Sequence, residues 1–202
     1  MKYLTGVKTP DVVPLLDDQT VGLLTTPATN YQVKSGWLWA ADNGCFSPKT
    51  YKGDTHWFNW LADLSTKADG CLFATAPDVV GDAEATMQRS LPWLWRIRLL
   101  GLPAAFVAQD GLENMDVPWD EFDVLFIGGS TGWKLGPAPI QLAAEARRRG
   151  KTVHVGRVNS KKRWTHCEHH IKADTTDGTF LAFGPKINLP KLLSWFTPAV
   201  AA

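Results

Sequence analysis

Short apolar runs recur along this chain, each closing on a cluster of small or polar residues before an amphipathic or loop segment begins. The runs cover residues 3–6, 21–26, 37–42, 71–76, 104–109, 124–128, 152–156 and 171–174. Most are continuous rather than alternating, which is the pattern of strands covered on both faces. Between several of them, apolar positions fall at helical spacing. Residues 83–100 form the longest such stretch, and Pro92 within it is expected to kink or divide the helix. Residues 138–149 read as a helix with a basic C-terminal end and Gly150 as its stop. Shorter helices are expected over 57–67 and 189–196.

Repeated strand–helix–strand units predict a parallel sheet. Eight strands predict closure, giving an α/β fold: a compact single-domain (β/α)8 barrel of the TIM type over residues 1–202. Such barrels rarely run much below ~200 residues, so some helices should be shortened or replaced by loops. An open doubly wound sheet is the alternative, but no GxGxxG follows the first strand, which weighs against its dinucleotide-binding form.

Composition narrows the setting. With 45% apolar and 20% charged residues the chain is expected to fold, and a formal net charge of +1 gives no global attraction to a polyanion. Nucleic-acid contact would have to come from local runs, Arg147-Arg148-Arg149-Gly150-Lys151 or Lys161-Lys162-Arg163, which otherwise read as solvated helix ends. Cys45, Cys71 and Cys167 form neither a disulfide framework nor a CxxC pair. Lys2, Lys8 and Asp11 interrupt any leader-like apolar run, and no stretch reaches the ~20 apolar residues of a membrane span. A soluble, cytoplasmic protein is the expectation. His166-Cys167-Glu168-His169-His170 places histidines on one helical face but lacks a separate ligand pair, so no metal site is expected. Of the ten tryptophans, Trp57, Trp60, Trp93 and Trp95 have core-like spacing, whereas Trp133, after a Gly-Gly turn, is placed to stack on a ligand.

The polar residues concentrate at strand ends, which in a parallel barrel converge on one face. There lie Asp42-Asn43-Gly44, Pro77-Asp78, Gln109-Asp110-Gly111, Gly128-Gly129-Ser130-Thr131, Gly156-Arg157 and Asp174-Thr175-Thr176-Asp177. An Asp-Gly or Asn-Gly pair alone is an ordinary turn former. Carboxylates at consecutive strand ends are a stronger signal, because turn chemistry does not require them on one face.

Read in order, these segments resemble the transfer-RNA guanine transglycosylases. They are closer still to the short DNA-modifying relatives of phages and bacterial islands that insert 7-deazaguanines. The resemblance runs from about Ala40 to Thr179. It implies Asp42 as a catalytic carboxylate, from an Asp-Ser-Gly-Gly-Phe-like segment that also includes Phe46. It implies Asp78, Gln109 and the Gly128-Gly129 backbone as base contacts; Trp133, from its place after the Gly-Gly turn, is the residue expected to stack on the base. Asp177 is implied as the nucleophile that holds the sugar, with Asp174 as the fallback. Arg157, Lys161, Lys162 and Arg163 would contact phosphates. The implied partners are DNA, less readily transfer RNA, and a 7-deazaguanine base such as preQ0; no cofactor is implied. The zinc-binding CxCxxC region of the transfer-RNA enzymes has no counterpart, and Gly178-Thr179 replaces the usual Cys-Val. A hydrolytic nucleosidase or DNA glycosylase, a non-catalytic nucleobase-binding or nucleic-acid-binding barrel, and a sugar-phosphate enzyme using the Gly128–Thr131 turn as a phosphate cradle remain the other readings.

Overall fold

In the computed structural model, which describes residues 1–66 and 69–196, eight parallel strands close into a barrel in sequence order. They are β1 (Lys2–Thr5), β2 (Gly22–Thr25), β3 (Trp39–Ala41), β4 (Cys71–Thr75), β5 (Ala104–Ala108), β6 (Val124–Ile127), β7 (Thr152–Val155) and β8 (Thr175–Gly178). The helices are α1 (Val13–Asp17), α2 (Asp54–Ser65), α3 (Ala83–Leu99), α4 (Thr131–Lys134), α5 (Pro137–Arg148), α6 (Lys161–His166) and α7 (Pro185–Phe196). The expected economy is visible. A loop replaces the helix between β2 and β3, and two 3-10 turns replace it between β5 and β6. Among the described residues no helix is long and apolar enough to cross a membrane.

Two expectations about the elements change. Pro92 does not divide its helix: α3 runs unbroken through it, and Pro92 faces solvent. There the carbonyl deprived of its N–H partner is free to bond water. The eighth strand begins four residues later than expected. Ile171 is buried, but as the last residue of a π-helical turn, Cys167–Ile171, which closes on Lys172 in the left-handed conformation. Its apolar character serves the helical layer. The strand itself, Thr175–Gly178, is short and polar, so a search for apolar runs passes over it. The end of the expected helix at Lys67 lies outside the described residues.

Strand periodicity decides which side chains enter the barrel. Leu4, Leu24, Ala40, Phe73, Ala105, Val107, Val124 and Phe126 fill the interior. Their neighbours along the strands, including Tyr3, Leu23, Trp39, Phe106, Leu125 and Val153, pack outward against the helices. His154 is inward and fully buried, its ring 4.8 Å from Phe73 and 4.4 Å from Phe126. Trp57 is buried and meets Trp93 edge-on at 5.8 Å, whereas Trp95, assigned to the core by spacing, is half exposed under the Arg96 guanidinium.

The entry to β4 has no room for a side chain. Gly70 has φ of +74°, and a Cβ there would lie 2.3 Å from the Trp37 carbonyl oxygen. The same turn accepts the Trp39 indole N–H at 2.7 Å on the Asp69 carbonyl. Gly70→Ala is therefore expected to destabilise the protein by at least about 2 kcal/mol in urea titrations, from strain plus displaced backbone. A neutral result would contradict this geometry.

Candidate active site

At the C-terminal ends of the strands lies a cavity of about 480 Å³, lined among others by Asp42, Asp78, Gln109, Gly128, Arg157 and Asp177. This is within the size range of small-molecule sites.

Asp177 reaches the cavity through strand parity. It pairs in register with Leu4 and shares its face with Thr175, so its carboxylate points inward near the end of β8. Oδ1 accepts the Arg157 backbone N–H at 3.0 Å and faces His154 Nε2 at 3.2 Å. With the proton on Nε2, His154 Nδ1 accepts from the Thr175 hydroxyl at 2.8 Å. Both donors converge on one oxygen, and Oδ2 has no hydrogen bond among the described residues. Asp174 lies at the other end of the strand. Its carboxylate accepts the Val153 N–H at 2.7 Å and its carbonyl accepts from Lys2, tying β7, β8 and β1 at the barrel's bottom.

Asp42 follows β3, with its N–H bound to the Thr25 carbonyl and Oδ1 accepting the Gly44 N–H at 2.6 Å. Burial pushes its carboxyl up to about 7; the charges of Asp177 and Asp78 push the same way, and the Gly44 bond opposes them. A carboxyl poised there exchanges its proton readily near neutral pH.

Asp78 is buried between two amides. Asn43 Nδ2 donates to Oδ1 at 2.9 Å and Gln109 Nε2 donates to Oδ2 at 2.6 Å, while burial raises its pKa. Gln109 Oε1 accepts the Gly81 N–H at 2.9 Å, and Asn43 Nδ2 also donates to the Ala76 carbonyl at 2.7 Å. Arg89 braces the Asp78 carbonyl at 2.8 Å and is itself held by Asp54. The result is a rigid polar wall with spare acceptor positions.

Gly128 has no room for a side chain, since a Cβ would sit 2.6 Å from Val107 and 3.0 Å from the Gln109 amide. Arg157 closes the rim. Its guanidinium donates to the Gly128 carbonyl at 3.0 Å and to the Gly129 carbonyl, and lies 4.8 Å from the centre of the exposed Phe46 ring. The expected phosphate ligand Arg157 is thus part of the cavity wall.

Other expected site residues lie outside the cavity. Trp133 packs on Gly129 with its indole N–H on Glu113 at 3.0 Å. Lys161 reaches the Ser194 carbonyl at 3.3 Å, Lys162 is exposed, and Arg163 faces a neighbouring cleft with a 3.4 Å contact to the Arg157 carbonyl. Among the described residues no three His, Cys, Asp or Glu side chains converge as a metal site, and the cysteines are free. His154 and Asn43 carry no role in the sequence reading. Parity along β7 was a usable signal for His154; nothing distinguished Asn43 from a turn residue.

No protein-family model matches this sequence, and neither does any curated protein. Among solved structures, a tryptophan synthase from M. tuberculosis in an aminoacrylate- and BRD0059-bound form is similar at 14% identity and a TM-score of 0.48. The match covers 94% of this chain and 66% of that one, just under two thirds of its length. At that level of similarity it says nothing about chemistry, and the barrel rests on its own strand order.

Proposed function

We propose that this barrel is a nucleobase transglycosylase that exchanges guanine in DNA for a 7-deazaguanine through a covalent sugar–aspartate intermediate. The observation that carries the reading is the pair of inward carboxylates in unlike settings. Asp177 has one oxygen anchored by two donors and the other free, while Asp42 is poised to carry a proton near pH 7. Pairs of carboxylates whose environments differ divide nucleophilic and acid–base work.

In the first step Asp177 Oδ2 attacks the anomeric carbon, the C–N bond to guanine breaks, and Asp42 donates the proton that the departing base requires. In the second step the entering base loses a proton to Asp42, its nitrogen attacks the same carbon, and Asp177 leaves. Two displacements at one carbon retain configuration. Asp78, Gln109 and the Gly128 backbone form the polar wall against which a base edge would be read. A target nucleotide must leave the duplex, or be met single-stranded, to enter the cavity.

The deciding assay incubates the protein with guanine-containing DNA or transfer RNA and preQ0, then measures nucleosides by mass spectrometry. Deazaguanine nucleoside from DNA is the expected product. Free guanine without replacement would instead mark a hydrolase, and unchanged nucleic acid in both arms would end the transglycosylase reading.

A further inference from the structure

Lys134, the last residue of α4, is buried at 6% exposure, and no step described so far uses it. Its Nζ donates to the Gly156 carbonyl at 2.6 Å, its one hydrogen bond among the described residues. The Gly156 carbonyl and the Arg157 N–H belong to the same peptide unit. That N–H is the one bound to Asp177 Oδ1 at 3.0 Å. A buried ammonium, one amide and the carboxylate therefore stand in line.

We propose that Lys134 is a positioning residue for Asp177: its ammonium holds and polarises the Gly156–Arg157 peptide, which presents the N–H that orients the carboxylate. Three observations support the assignment. Arg157 has φ of +63°, a conformation a side-chain-bearing residue adopts only when its surroundings hold it there. Gly156 has no room for a Cβ, which would lie 2.7 Å from Phe126 and 3.2 Å from Asp177 Oδ1, so the peptide can approach the carboxylate closely. Burying an ammonium on a single neutral carbonyl is costly, and the shared peptide gives that cost a consequence at the nucleophile.

The groups facing Lys134 set its charge. Burial, and then the Arg157 guanidinium, lowers its pKa to about 8. Arg163 on α6 acts in the same direction; Asp177 on β8 and Cys167 in the π-helical turn oppose it. His166 lines the same cleft. The ammonium is charged below pH 8 and loses its charge above it, so the brace weakens on the alkaline side.

The inference rests on the proposed reading only in giving Asp177 a nucleophilic role, and its first test needs no substrate. In the 13C,15N-labelled protein, the Gly156 carbonyl and Arg157 amide nitrogen resonances are followed from pH 6 to 10. Both should titrate together with a midpoint near 8. The transition should vanish in Lys134→Met, and in Lys134→Arg, whose guanidinium stays charged throughout. Resonances flat through pH 8 in the unsubstituted protein, or a transition that survives in Lys134→Met, would overturn the assignment; the first outcome decides even if the variants fold poorly. Where base exchange is measurable, Lys134→Met should lower kcat roughly 10- to 100-fold with KM little changed. Lys134→Arg should restore much of the rate and remove its alkaline fall. A coupled titration in a protein that modifies neither nucleic acid would leave the brace standing and end only the transglycosylase reading.

Discussion

Asp177→Asn is expected to abolish base exchange, lowering kcat by on the order of 10⁴-fold or more, the scale on which enzymes lose rate when a covalent nucleophile is removed. The substitution is nearly isosteric. Its amide oxygen can still accept from His154 Nε2 and the Arg157 N–H, which now share Oδ1. The fold should therefore survive, with unfolding free energy changed by about 1 kcal/mol or less. What is lost is the oxygen that, on the proposed mechanism, attacks the sugar. Asp174→Asn supplies the control, because that carboxylate serves the Val153 N–H at the opposite end of the strand. It should leave exchange within a few-fold of normal and act, if anywhere, on stability. Intact-mass detection of a sugar adduct on the parent protein, missing in Asp177→Asn, completes the test. A variant at position 177 that keeps more than about a hundredth of the rate, or one at 174 that matches its loss, would remove Asp177 from the role.

The contrast between the two aspartates shows how much of the barrel is legible in the sequence. Seven strands announce themselves as apolar runs because both their faces are covered, and closure follows from a count of eight runs whose last member is displaced from the true strand. The eighth does not, because Thr175–Gly178 is polar and the nearby Ile171 belongs to a helical turn. With the strand shifted, Asp177 moves from the loop beyond the strand onto its inward face, and Asp174 moves to the barrel's bottom. The resemblance favours Asp177 over Asp174, and parity turns the Asp177 carboxylate, not that of Asp174, toward the cavity. The cavity wall was partly legible: Asp42, Asp78, Gln109 and Gly128 were all placed at strand ends and all line it. The amide–carboxylate pairing of Asn43, Asp78 and Gln109 was not, since it depends on the relative height of three different strand ends. Trp133 shows the opposite failure. Its position after a Gly-Gly turn looked like a stacking site, but the left-handed Gly129 lets the ring fold back on the backbone.

Asp42→Asn should separate function from stability. The loss of its proton-carrying carboxyl is expected to slow exchange by roughly 10²–10⁴-fold. The same change should make the protein more stable at pH 8. The sign follows from the direction of its shift: the Asp42 carboxyl titrates at about 7 when folded, against 3.8 ordinarily. Below both values the residue is neutral in either state and takes no stability away. Between them the unfolded chain gives up its proton while the folded chain keeps it, so stability falls as pH rises, and the deficit is complete above about 7. Its size is about 2–4 kcal/mol, the lower end allowing for solvent screening at the open mouth of the cavity. Asparagine carries no charge to desolvate and can still accept the Gly44 N–H now bound at 2.6 Å. Urea unfolding of both proteins at pH 4 and pH 8 should therefore show near-equality at the lower pH and a more stable variant at the higher. A variant that is less stable at pH 8 would mean that Asp42 is better solvated, or more strongly bonded as an anion, than its surroundings indicate. The acid–base role would then pass to another group on the same rim. A carboxyl kept at a site where it weakens the fold at neutral pH is what the proposed proton-carrying role of Asp42 would account for.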